Sequence, residues 1–93
     1  MADKAILVIE DDAAILRGLQ DNLLFEGYRV LTAADGESGL RAALENDVDL
    51  VVLDIMLPGK NGCDVCRTLK QAKPALPVVM LTARGQEIDI ISG

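Results

Sequence analysis

The chain has 93 residues, 51% hydrophobic and 26% charged, with a formal net charge of −6 and no histidine. That length gives one small domain, expected over residues 1–93, whose folding hides only about 60–65% of the unfolded surface. The acidic balance, with no basic run, argues against nucleic acid or an anionic membrane as partners, and any imidazole chemistry must be borrowed from another protein.

The first apolar run, Ala5-Ile6-Leu7-Val8-Ile9, follows Asp3-Lys4 and is too short for the core of a signal peptide. No run approaches the length of a membrane span. With two cysteines and no secretion signal, the expected compartment is a reducing, cytoplasmic one.

Taken in order, strand-length apolar runs alternate with stretches of helical period. The first strand is expected at about Lys4–Ile9. A helix follows at about Ala13–Glu26, with Ile15, Leu16, Leu19, Leu23 and Leu24 on one face and Gly27 ending it. Asp12, directly before it, reads better as a helix cap than as a ligand. The second strand, Tyr28–Thr32, alternates as a less buried edge strand does. Asp35 caps a second helix with Leu40, Ala43 and Leu44 facing inward. A third strand, Asp49–Leu53, leads to the loop Pro58-Gly59-Lys60-Asn61-Gly62. A third helix spans about Cys63–Ala72, and a fourth strand Val78–Leu81. A last helical piece is expected from about Gln86. This β-α-β-α-β-α-β-α order specifies an α/β fold, a doubly wound parallel sheet with helices on both faces.

In such sheets ligands bind beyond the carboxyl ends of the strands. Glu10-Asp11-Asp12 ends the first strand and Asp54 the third, with Thr82 after the fourth. A carboxylate ending a buried strand is costly unless something there needs it. Glu10, Asp11 and Asp54 held close together need a counter-charge, which a hard divalent cation such as Mg²⁺ supplies through oxygen ligands. One carboxylate then becomes a nucleophile toward phosphorus, and the Thr82 hydroxyl can donate to a phosphoryl oxygen.

These residues resemble the receiver domain of bacterial two-component response regulators. The resemblance runs through Ile6-Leu7-Val8-Ile9-Glu10-Asp11-Asp12, through Val51-Val52-Leu53-Asp54-Ile55-Met56-Leu57-Pro58-Gly59-Lys60-Asn61-Gly62, and through Pro77-Val78-Val79-Met80-Leu81-Thr82-Ala83-Arg84. It implies a flavodoxin-like sheet of order 2-1-3-4 in this chain, and a phospho-accepting signalling module, not a conventional enzyme. By this resemblance Asp54 accepts the phosphoryl group from a cognate histidine kinase or phosphotransfer protein. Asp11 ligates Mg²⁺ directly, Glu10 acts through water, and the Met56 carbonyl is a further ligand. Thr82 is the switch hydroxyl, Ala83 the small residue giving access, and Met56 and Arg84 tune hydrolysis of the aspartyl phosphate. Partner choice falls on Ala14, Ile15, Gly18 and Leu19 of the first helix.

Similar domains continue for about 25–30 residues, one more strand and helix. A lysine and an aromatic switch residue found there in the family have no counterpart in this chain, so it reads as a truncated receiver with the fifth βα unit missing. The alternative is then a non-switching fragment that self-associates, through an exposed strand-four edge or by helix exchange.

Other chemistries fit less well. A haloacid-dehalogenase-type phosphatase needs a second Asp two residues after the nucleophile, where this chain has Met56. Cys63-Asp64-Val65-Cys66 has redox spacing, but Cys66 falls on the apolar face of a helix and the pair reads as structural thiols. Zinc needs four ligands, and the chain lacks histidine. Gly36-Glu37-Ser38-Gly39 lacks the lysine of a phosphate loop and reads as a helix start.

Overall fold

The computed structural model describes residues 4–54, 62–81 and 88–91. The elements, in chain order, are β1 (Ala5–Ile9), α1 (Ala13–Phe25), β2 (Arg29–Ala33), α2 (Gly36–Glu45), β3 (Leu50–Asp54), α3 (Gly62–Ala72), β4 (Val78–Leu81) and β5 (Ile88–Ile91). One sheet has the order β2-β1-β3-β4-β5. The first four strands are parallel, as alternation with helices requires.

The fifth strand corrects two expectations. Ile88–Ile91 pairs antiparallel with β4, Val78 opposite Ile91 and Leu81 opposite Ile88, so the segment is strand where a helix was expected. The outer edge of β4 is therefore covered, and it is not the open edge on which self-association was to rest. The cause is tertiary: a helix of a turn or two does not hold together in water by itself, whereas the unpaired N–H and C=O groups along β4 reward any neighbouring segment that extends.

Local chemistry sets the boundaries. Asp12 Oδ1 accepts from the N–H groups of Ala14 (2.9 Å) and Ile15 (3.1 Å), so this acid is the α1 cap. At the other end, Tyr28 N–H donates to the Leu23 carbonyl (3.1 Å) and Gly27 N–H to that of Leu24 (3.0 Å). That closure places Gly27 at φ 96°, where a side chain would be strained. Asp35 caps α2 by accepting from Ser38 N–H (2.8 Å) and hydroxyl (2.9 Å), which holds its carboxyl below the usual range. Lys73 Nζ donates to the carbonyls of Ala43 (2.7 Å) and Asn46 (3.1 Å), closing the C-terminal end of α2 and tying it to the chain after α3.

The core lies between the sheet and the α2–α3 layer. Leu7, Ile9, Val51, Leu53, Val78 and Met80 meet Ala43, Val65, Cys66 and Leu69 there. Strand pairing puts Leu7 beside Val51 and Ile9 beside Leu53, and Leu53 beside Met80, so this apolar face is continuous across three strands. α1 packs against β1 and β2 on the opposite face.

Candidate functional site

The site begins with strand geometry. β1 and β3 run parallel with Ile9 level with Leu53, so the residues that follow, Glu10 and Asp54, emerge together at the carboxyl end of the sheet. Backbone pairing fixes Glu10 further: its N–H donates to the Ala33 carbonyl at the end of β2 (3.0 Å). Its carboxylate accepts from the N–H of Asp12 (2.9 Å). Asp12 thus serves the site through its main chain while its side chain caps α1.

Glu10, Asp11 and Asp54 each offer a carboxylate oxygen, and these oxygens lie within 4.8 Å of one another. Glu10 is 3% exposed, Asp54 half-buried and Asp11 exposed. Burial pushes the Glu10 carboxyl up to about 7; the Asp12 N–H opposes this, while the neighbouring charge and hydrogen bonding of Asp54, then of Asp11, add to it. Glu10 therefore holds its proton more tightly than an ordinary carboxylate does, and a cation can replace that proton. The donors are all hard oxygens, of unequal burial, with one side open through Asp11. Such a set suits a small divalent ion that keeps part of its water shell, and it lacks the nitrogen and sulfur donors that favour zinc.

Of the site residues expected from sequence, the structure brings Glu10, Asp11 and Asp54 together. Met56 and Thr82, with Ala83 and Arg84, lie outside the described residues. Two supporting residues escaped the sequence reading. Ala33, one position beyond the expected end of β2, supplies the carbonyl that holds Glu10. Gly39 lets α2 lie directly on β1: a Cβ there would stand 2.5 Å from Ile9 Cδ1 and 2.7 Å from Cγ1. Ile9 immediately precedes Glu10, so this close approach seats the strand that carries the acid. The signal was present, since a glycine inside a helix costs about 1 kcal/mol relative to alanine and calls for a packing reason.

The sequence model of the response regulator receiver domain family matches residues 6–93. The chain belongs to this family. Receiver domains are signalling modules that work by phosphorylation. It is 47% identical over 89 residues to the transcriptional regulatory protein AfsQ1 of Streptomyces coelicolor, which covers 96% of this chain and 39% of that protein. It is 46% identical over 91 residues to the alkaline phosphatase synthesis transcriptional regulatory protein PhoP of Bacillus subtilis, covering 98% of this chain and 38% of that one. The receiver thus spans less than half of these curated relatives.

Among solved structures, the CheY-like receiver domain protein of Methanospirillum hungatei matches with a TM-score of 0.85 and 33% identity, over 87% of this chain and 65% of that one. The response regulator TrrA of Thermotoga maritima, solved with Mg²⁺-BeF, matches with a TM-score of 0.83 and 38% identity, over 86% of this chain and 70% of its own. No helix among the described residues is long and apolar enough to cross a membrane.

Proposed function

We propose that this receiver domain takes up a phosphoryl group on Asp54 from a histidine kinase or phosphotransfer protein in the cytoplasm, with Mg²⁺ as cofactor. One observation carries the reading: the Glu10, Asp11 and Asp54 carboxylate oxygens converge within 4.8 Å at the carboxyl ends of β1 and β3. Glu10, Asp11, Asp54 and the carbonyl of Met56 are the residues that would hold the ion. Bound there, the ion supplies positive charge that offsets repulsion between carboxylate and phosphoryl oxygens. An Asp54 carboxylate oxygen attacks phosphorus, the bond from phosphorus to the donor's imidazole nitrogen breaks, and imidazole leaves with the electron pair. The missing histidine in this chain fits that division of labour, because the donor brings its own. Thr82 follows the phosphate as the switch hydroxyl, a charge gain of roughly −1.5 to −2 being large enough to bias a two-state element.

Incubation with Mg²⁺ and a small acyl phosphate tests this reading. A mass gain of one phosphate, abolished by chelation and by Asp54→Asn, is the expected result. A folded chain that gains none would overturn it.

The partner surface is proposed to be α1, near the acidic site, where Ile15 is 48% exposed. Gly18 has nothing within 4 Å of the position a Cβ would take, so a side chain starting there enters open space. Gly18→Leu is expected to slow transfer from the kinase and to leave uptake from the small donor unchanged. Phe25 is 88% exposed and Leu24 50%. These apolar side chains favour self-association of the chain through its α1 side rather than through β4. Sedimentation of wild type against Phe25→Ser checks this.

A further inference from the structure

Cys63 and Cys66 lie one turn apart at the start of α3, Cys63 exposed and Cys66 buried with 6% exposure among Val65, Leu69 and Leu53. Both are thiols. Ideal helix geometry puts Cα atoms three residues apart at about 5 Å, inside the range of about 4.4–6.8 Å that a disulfide spans. The Cβ atoms of such a pair stand roughly 5–6 Å apart, wider than the roughly 3.5–4.5 Å that a relaxed disulfide prefers. A bond between them therefore needs the first turn to give a little. The start of a helix allows this, because its first N–H groups have no partner within the helix.

We propose that Cys63 and Cys66 form a reversible intramolecular disulfide that clamps the first turn of α3 and makes this receiver redox-responsive. The oxidant is a low-molecular-weight disulfide. The Cys63 thiolate attacks one of its sulfurs, the S–S bond breaks, and one thiolate leaves with the electron pair and takes a proton. The Cys66 thiolate then attacks Cys63 Sγ and expels the second thiol. The protein dithiol is oxidised, the small disulfide is reduced to two thiols, and the atoms balance.

The asymmetry of the pair sets this order. Cys63 is exposed and meets the oxidant, whereas Cys66 reacts only within its own turn. Burial pushes the Cys66 thiol up, a tendency that the Lys70 cation opposes and the neighbouring Cys63 reinforces. Lys70 is held on the same helix, its Nζ donating to the Leu76 carbonyl (2.8 Å). The imperfect Cβ spacing makes the product easily reduced, as regulatory disulfides are and structural ones are not. The clamp falls in the first turn of α3, the next element in the chain after β3, which ends in Asp54.

The test equilibrates the full chain in buffers of varied reduced and oxidised glutathione, quenches with acid, alkylates, and weighs the intact protein. The expected oxidised product is a monomer that has lost two hydrogens and both alkylatable thiols together. Cys66→Ala is expected to stop at one glutathione on Cys63. Cys63→Ser, a change at an exposed position that leaves the core intact, is expected to keep Cys66 alkylatable throughout. The proposal is overturned if the wild-type chain stops at one glutathione, links into a Cys63–Cys63 dimer, or keeps both thiols across the series.

Discussion

On one side of the sheet, α2 and α3 close over Leu7, Ile9, Val51, Leu53 and Val78, all fully buried. On the other side α1 lies over β1 and β2 without burying one of its own residues, and Leu50, Val52, Val79 and Leu81 of the central strands are only half-buried. Both faces are apolar by composition, so the difference lies in coverage. Two helices tied together by Lys73 seal one face, while on the other, among the described residues, α1 covers Ile6 and Val8 of β1 but not β3 and β4. The face under α2 and α3 is the more completely buried, and the α1 face leaves more of its apolar side chains exposed. The acidic site sits at the end of the strands that both faces share.

The largest effect tests the sealed side. Leu53→Ala is expected to cost about 2–5 kcal/mol, enough to unfold much of a domain this small. Urea denaturation measures it, and a loss below 1 kcal/mol would erase the distinction between the faces.

Next comes the shared end of the strands. The Glu10 carboxyl rises from 4.5 to about 7 on folding, so the native state binds the extra proton. Stability is then greatest below about pH 4.5 and falls as pH rises to 7, by at most roughly 3 kcal/mol. Urea midpoints in chelator at pH 5 and pH 8 should show that fall. Glu10→Gln should flatten it, and Mg²⁺ should reverse it at pH 8. A midpoint that climbed over this window would contradict the sign.

Gly39→Ala sharpens how tightly α2 seats on β1. The added carbon meets Ile9, and overpacking of this kind costs about 1–3 kcal/mol, against the gain that alanine normally brings a helix. A stabilised variant would mean that α2 shifts freely. Asp12→Ala removes the α1 cap at a cost of about 1 kcal/mol, readable as a lower thermal midpoint. Ile15→Ser on the open face is expected to change stability by no more than about 0.5 kcal/mol. A large loss there would show α1 to be as firmly packed as α3.

Much of this architecture was legible along the chain. The apolar runs located β1, β3 and β4 within a residue or so, because inner strands of a parallel sheet leave little room for polar residues, and alternation located the edge strand β2. Asp12 and Asp35 were recognisable as caps, and Gly27 as a terminator, since each acts on backbone groups only a few residues away. The acids Glu10, Asp11 and Asp54 could be grouped because topology places strand ends together whatever the side chains are.

The rest depended on partners distant in sequence. Ile88–Ile91 has a pattern too short to choose its own conformation, and pairing with β4 chose it. Gly39 has meaning only beside Ile9, and the Ala33 carbonyl only beside the N–H of Glu10. The periodicity of α1 marked an apolar face but not whether anything covers it, because a pattern records what a helix can bury and only packing decides what it does bury. Local chemistry and alternation along the chain were enough for β1 to β4, for the helix ends and for the identity of the acids. The tertiary structure decided how far each face is closed, which chain covers β4, and how high burial and like charge raise the Glu10 carboxyl. Those outcomes depend on distances between residues far apart in the chain.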